Sequence, residues 1–374
     1  MKTIKTIILF LLCVIASSCV HQFPEPTTPA QLDITLDFTT DMPYFRTVRF
    51  PEETAPNLNY EDDPDNKPAY FDYILPDWQT NSEKYRIRYI VEAYRVMANG
   101  RIASAAEHRA EFYDDDATQW DDHDISLILP EGRYEIRVWA DYIYKNTTTH
   151  LYYNAARFNG ITLDLSNGHH GNTDFRDAFS GKAQADVIRY GSIAEPVHLT
   201  VPMARPMGKY VFVTNDLNEF ATRVLMNKYG KLSESTESAT KSPDFDINDY
   251  TLTIRCSQWM PTSYSMLTDR ANDSQVNVQF TSGLTQIDDN HAIMGFDYVL
   301  ANPEDDINPV TKVVLDIILQ DKEENVLATH QGVYVPLKRS KMTLVEGQFL
   351  IQESGGGVSI NPGFNGPDIV VPVN

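Results

Sequence analysis

Four kinds of side chain could carry chemistry in this sequence: histidines, clustered carboxylates, cysteines and tryptophans. His169-His170 is the only adjacent pair among nine histidines, and Asp174 lies close enough in sequence to join it. A structural zinc site needs a full tetrahedral set, usually with paired cysteines or a His-x-x-x-His spacing, and the chain has neither, so no metal is expected. Asp114-Asp115-Asp116 with Asp121, Asp122 and Asp124 has the oxygen-rich chemistry that a calcium ion takes. Gln119 stands where an EF-hand loop needs glycine and Ile125 where it needs glutamate, so the run reads as a solvated acidic loop, as does Glu61-Asp62-Asp63 with Asp65. There is no Gly-x-Ser-x-Gly nucleophile elbow, and Gly355-Gly356-Gly357 has no lysine at phosphate-loop spacing. No catalytic residue and no cofactor is expected. Trp78 and Trp120 lie in polar, loop-like stretches and form the candidate glycan-stacking pair, since an exposed indole face suits a sugar ring. Trp139 falls on the charged side of its strand, either under a loop or in an exposed patch.

The cysteines point elsewhere. Lys2 and Lys5 precede an apolar run from Ile7 to Ala16, and Ala16-Ser17-Ser18 places small residues directly before Cys19. The run is too short for a bilayer core of ~30 Å but suits the hydrophobic region of a signal peptide. Small residues followed by cysteine resemble a bacterial lipoprotein signal, in which the thiol is acylated and becomes the new N-terminus. Residues 1–18 are therefore expected to be removed, with Cys19 carrying the lipid at the outer membrane and the protein on the cell surface. A multiply acylated terminus anchors durably where one chain would not. Cys13 leaves with the signal, so Cys256 remains without an intramolecular partner. It alternates with Leu252 and Ile254 on an apolar face, which predicts an inert core thiol.

The elements that must position these residues read as strands. The 374 residues carry 31 basic and 52 acidic side chains, a net charge of −21, with 42% hydrophobic residues. That acidity excludes a surface for nucleic-acid phosphates or an electrostatic dock on anionic lipid. Residues 19–30 are polar and contain Pro24, Pro26 and Pro29, giving a stiff tether. Leu32, Ile34, Leu36 and Phe38 then alternate with polar residues, as in a half-buried strand. Tyr85 to Ala93, Asp124 to Leu129, Tyr134 to Ala140, Leu252 to Cys256 and Val313 to Leu319 alternate in the same way. Asn99-Gly100, Pro130-Glu131-Gly132 and Asp321 to Asn325 supply turns. The pattern predicts an all-β antiparallel sandwich architecture with one short helix, capped by Asp216 with Glu219 at the capping-box position. Leu217, Phe220, Val224 and Leu225 form its apolar stripe, and Gly230 is its predicted stop. Val201-Pro202-Met203-Ala204-Arg205 and Val335-Pro336-Leu337-Lys338-Arg339 form a short internal repeat that predicts two domains, 31–206 and 207–350, followed by a tail, 351–374.

YEIRVWADY at Tyr134 to Tyr142, Tyr152-Tyr153-Asn154 and Arg176-Asp177-Ala178-Phe179-Ser180-Gly181 carry a further signal together with VPLKRSKMTLVEGQ at Val335 to Gln348. A glycine-rich tail follows, ending in Ile360-Asn361-Pro362-Gly363-Phe364-Asn365-Gly366. After a lipoprotein signal, these segments resemble an uncharacterised family of Bacteroidota lipoproteins, similar to the fimbrillin and FimB-type fimbrial anchor superfamily. The resemblance implies two tandem transthyretin-like β-sandwich domains, no enzymatic activity, and assembly with fimbrial subunit proteins by β-strand addition. The implied role is a fimbrial anchor or accessory subunit, an adhesion component. The alternative is a surface glycan-binding lipoprotein. The candidate strand-exchange segment is the tail, where Val358 and Ile360, then Ile369, Val371 and Val373, alternate beyond the glycine hinge; Leu32 to Phe38 is a second donor candidate. Arg46 and Arg49 are the nearest arginines at which proteolysis could free an N-terminal strand.

Overall fold

The computed structural model of the chain describes residues 29–71, 84–115, 120–188, 196–229, 238–304 and 310–352. The largest sheet has seven strands in the order β4 (His108–Asp114), β3 (Tyr85–Arg95), β6 (Gly132–Tyr144), β9 (Ala178–Val187), β10 (Val197–Ala204), β1 (Pro29–Phe38) and β5 (His123–Pro130). β1 runs parallel to β10 and antiparallel to β5, with Leu32, Ile34, Leu36 and Phe38 buried as their alternation requires. It begins at Pro29, so Pro29 and Ala30 belong to the strand rather than to the tether.

This sheet folds over on itself. At the corner, Gly181 of β9 lies opposite Met203 of β10, where a Cβ would sit 2.5 Å from the Met203 sulfur and from the Pro202 carbonyl oxygen. Only glycine allows that close approach. The fold brings Phe38 of β1 within 5.1 Å of the Phe179 ring and 6.3 Å of the Tyr89 ring, closing one core between the two halves of the sheet. The Asn99-Gly100 turn forms as read, with Gly100 at φ 79° and a bridge from Val96 to Ile102 joining β3 towards β4. Pro130-Glu131-Gly132 is different: it joins β5 to β6, which do not pair but lie in opposite halves of the folded sheet.

A second core lies among three further sheets. One has the order β16 (Thr285–Gln286), β17 (Ala292–Leu300), β11 (Met207–Thr214), β20 (Met342–Gly347) and β2 (Tyr44–Phe50). Another has β15 (Val278–Gly283), β12 (Tyr250–Cys256), β18 (Thr311–Asp321) and β19 (Val326–Leu337). The smallest has β14 (Arg270–Gln275), β13 (Met260–Ser265), β8 (Ile161–Leu163) and β7 (Tyr153–Asn154). Val211 and Val213 meet Leu252, Ile254, Leu315 and Ile317 in one apolar cluster. The chain is thus mostly β, built as sandwiches, as the alternation required.

The first and last strands repeat a pattern. β1 pairs in parallel with β10, and β11 pairs in parallel with β20. The Val-Pro repeat does not fall on equivalent strands, because its first copy ends β10 whereas its second ends β19 rather than β20. Nor do the strands respect a division at residue 206. β2 joins β20, and β7 and β8 join β13, so segments from before 206 complete sheets made largely from residues after it. The reason is edge protection: β2 buries Phe45, Thr47 and Val48 while covering the side of β20 that would otherwise be unpaired.

Helix α1 (Leu217–Tyr229) buries Leu217, Phe220, Ala221 and Leu225, while Val224 is only half-buried. Its predicted cap is corrected. The Asp216 carboxylate accepts the backbone N–H groups of Leu350 (3.2 Å) and Ile351 (3.0 Å) and the Thr214 hydroxyl, clasping the segment after β20. Glu219 pairs with Arg223 at 2.6 Å on the helix surface instead of reaching back to the cap. Gly230 lies outside the described residues.

Candidate functional site

Several predicted site residues, namely Cys19, Trp78, Val358, Ile360, Ile369, Val371 and Val373, lie outside the described residues. Trp120 does not, and it is no platform for a sugar. It is 3% exposed, with its ring 5.5 Å from Phe38, 4.8 Å from Phe179 and 4.8 Å from Tyr142. Its polar sequence neighbours hid a side chain that plugs the first core. Trp139 is also fully buried, against Tyr153 and Tyr264 of the smallest sheet. Among the described residues the exposed indole is Trp259, 66% accessible in the turn between β12 and β13.

Cys256 is the buried thiol the alternation predicted. Its Sγ donates to the Gln258 carbonyl at 3.6 Å, and burial pushes its pKa up to about 11. His169 packs between Arg176 and Asp297, its Nε2 2.7 Å from the Asp297 carboxylate, and burial lowers its pKa. Asp174 faces Lys209 and Tyr298 instead. In the acidic cluster, Asp124 accepts from the Thr35 hydroxyl at 2.7 Å and Asp122 accepts the Phe38 N–H at 3.3 Å. Among the described residues, no three His, Cys, Asp or Glu side chains converge as metal ligands.

The segment Arg176-Asp177 opens a buried polar seam that sequence reasoning missed. Arg176 donates to Asp297 at 2.6 Å and to the Tyr298 carbonyl at 3.2 Å, while its own carbonyl accepts the Tyr153 hydroxyl at 2.7 Å. Asp177 holds Arg205 through Nε and Nη2, each at 2.8 Å, and Arg205 Nη1 reaches the carbonyls of Thr40 (2.8 Å) and Asp41 (3.1 Å). Lys209 completes the seam on Asp174 at 2.7 Å, with the Phe296 ring 4.1 Å from its ammonium. Each charge is fully or almost fully withdrawn from water except Asp174. The seam ties the turn before β9 to β10, β11 and β17. Only the clustering of Arg176 and Asp177 in one distinctive segment hinted at it.

Beside the seam, an open groove of about 350 Å³ runs between β9–β10 and the β13–β14 hairpin, lined by Ser180, Lys182, Tyr264, Met266, Asp269 and Arg339. Asp269 accepts from Tyr264 Oη at 2.6 Å and from Arg339 Nη1 at 2.7 Å. Burial opposes the charge on Asp269, but these two donors together outweigh it and hold its pKa below the usual carboxylate value. The folded state therefore binds this proton less readily than the unfolded chain. The clasp contributes fully above an unfolded pKa of about 3.9 and fades as pH falls through the lower folded value. Asp269→Asn should consequently lower the urea midpoint more at pH 7 than at pH 3, the gap narrowing as the pH falls below the unfolded carboxylate value; a difference constant across that range would refute the assignment.

A second exposed feature is the outer edge of β5. Ile125, Leu127 and Leu129 point into the core, whereas Ile128 is 58% exposed, and among the described residues β1 is the only strand paired with β5. Such an edge is a template for an added strand.

The chain is mostly β and built of sandwiches, with a buried polar seam, an open groove and, among the described residues, an unpaired strand edge. The chain belongs to the family of unknown function DUF6562, whose model matches residues 31–373. No curated protein matches it. Among solved structures it is similar to the fimbrial anchor protein Mfa2 from Porphyromonas gingivalis, with 10% identity, 81% of this chain and 83% of that one covered, and a TM-score of 0.35. It is also similar to a fimbrial assembly protein from Parabacteroides distasonis, with 10% identity, 86% and 91% covered, and a TM-score of 0.37. No helix among the described residues is long and apolar enough to cross a membrane.

Proposed function

We propose that this chain is a lipid-anchored envelope protein, acylated at Cys19, that acts as a fimbrial anchor or accessory subunit and takes its partner by β-strand addition. The observation that carries the reading is the placement of β1. The proline-rich stretch that follows Cys19 in the sequence leads to a strand bonded to β10 on one side and β5 on the other, so a lipid at Cys19 would hold the first sandwich through a strand paired on both flanks. The edge of β5, unpaired among the described residues, then lies beside the anchored strand and would take an extended segment of a fimbrial subunit. The tail from Val358 to Val373 is the second place for such an exchange. The full chain carries −21, and loss of Lys2 and Lys5 with residues 1–18 leaves a body at −23 (29 − 52); it is repelled by anionic lipid, and acylation supplies the attachment.

Cys19→Ala is expected to move the protein from the detergent-extracted membrane fraction to the soluble fraction, with loss of co-purifying fimbrial subunits from intact cells. Retention of the variant in membranes would sink the anchoring assignment. The groove beside Tyr264, with Lys182 at its rim, and the exposed Trp259 favour a second reading, a surface glycan-binding protein. Capture of polysaccharide rather than fimbrial subunits from the same cells would select that reading.

A further inference from the structure

Lys209 is the only lysine in the core among the described residues. Its ammonium lies 2.7 Å from Asp174 Oδ1, and the same oxygen accepts the Tyr298 hydroxyl at 2.6 Å. The rings of Phe296 and Tyr298 sit 4.1 and 4.9 Å from Nζ and close the site on that side. We propose that Lys209 and Asp174 condense into an intramolecular isopeptide bond, cross-linking the turn before β9 to strand β11.

The step balances without a co-reactant. One proton passes from the Lys209 ammonium to the Asp174 carboxylate, leaving an amine and a carboxylic acid. The amine lone pair attacks Cγ, and the negative charge that develops on the carboxyl oxygen faces the Tyr298 hydroxyl, already placed to donate to it. The Nζ–Cγ bond forms and a Cγ–O bond breaks. The departing hydroxyl takes one amine proton and leaves as water.

Three features of the site favour condensation over a lasting ion pair. Burial lowers the Lys209 pKa and so favours the neutral, nucleophilic amine, although Asp174 opposes this. An amide is neutral, so forming it removes two charges from a poorly hydrated site, where an ion pair carries a desolvation penalty. The reacting groups are held in contact by the fold, which replaces an encounter in solution. The Asp174 side chain is 26% accessible, which gives the released water an exit. The neighbouring pairs Arg176–Asp297 and Arg205–Asp177 are buried more completely but cannot react in this way, because a guanidinium stays protonated.

The test is the intact mass of the folded, purified mature chain, measured under denaturing conditions. The expected result is a mass one water below the value calculated for the chain with its N-terminal modification, with a single linked peptide containing Lys209 and Asp174 after proteolysis. K209R and D174A should remain at their full sequence masses. D174N should lose ammonia instead and converge on the same final mass as the wild type, an outcome that a salt bridge cannot produce. A wild-type chain at full sequence mass, with the two peptides recovered separately, would overturn the proposal.

Discussion

Arg205→Ala is expected to destabilise the protein by about 3–5 kcal/mol, because it leaves the fully buried Asp177 carboxylate without its counter-charge. Both side chains are fully buried, and Arg205 also satisfies the Thr40 and Asp41 carbonyls at the start of the segment that leads to β2. Its loss therefore removes a charge partner and leaves backbone acceptors open. Arg205→Lys should recover little, since an ammonium cannot make the paired contact with Asp177 and reach the carbonyls as well. Replacing Arg205 and Asp177 together by apolar residues of similar volume should be far milder than the single change, because no buried charge is left unpaired. Urea unfolding of the variants checks the set. A single-variant loss below about 1 kcal/mol would be the range of an exposed pair and would mean that water enters the seam.

Trp120→Ala should cost about 3–5 kcal/mol, the usual range for deleting a large aromatic side chain from a packed core. The indole fills the space between Phe38, Tyr142 and Phe179, side chains from three strands in both halves of the folded sheet, so collapse around the cavity would have to move several elements at once. Trp259→Ala, at an exposed turn, should change stability by no more than about 0.5 kcal/mol. The contrast separates the two indoles by role. If Trp120 were a sugar platform, its removal would weaken glycan binding and leave the unfolding midpoint in place.

These two residues also mark where sequence patterns stop being informative. Strand β1 was legible because one face is buried and the other half-exposed, which writes an alternation into the chain. Strand β6 was legible as a strand but not in its surroundings. Glu135, Arg137 and Asp141 looked like a solvent face, yet all three are buried. Their charges are compatible with burial because Arg137 donates to Glu135 at 2.7 Å and Arg88 to Asp141 at 2.9 Å. Strand β2 escaped notice because Arg46 and Arg49 interrupt its apolar pattern. The helix stripe was readable from its spacing, but the partners of Asp216 lie far along the chain at Leu350 and Ile351, and no local pattern records them. The seam has the same character: Arg176 and Asp177 are adjacent, whereas Asp297 and Arg205 come from distant strands. Trp120 failed for a simpler reason, since its acidic neighbours face water while the indole turns inward.

The insertion of β1 between two neighbours has a mechanical consequence. A pull on the chain before Pro29 acts along the strand axis, parallel to β10 and against β5. Sliding β1 out would require the backbone bonds along both flanks to fail together, in shear, instead of opening one after another as in a peeled edge strand. Tension on the N-terminal end is thereby spread over the registers from Leu32 to Phe38 and from Pro29 to Leu36.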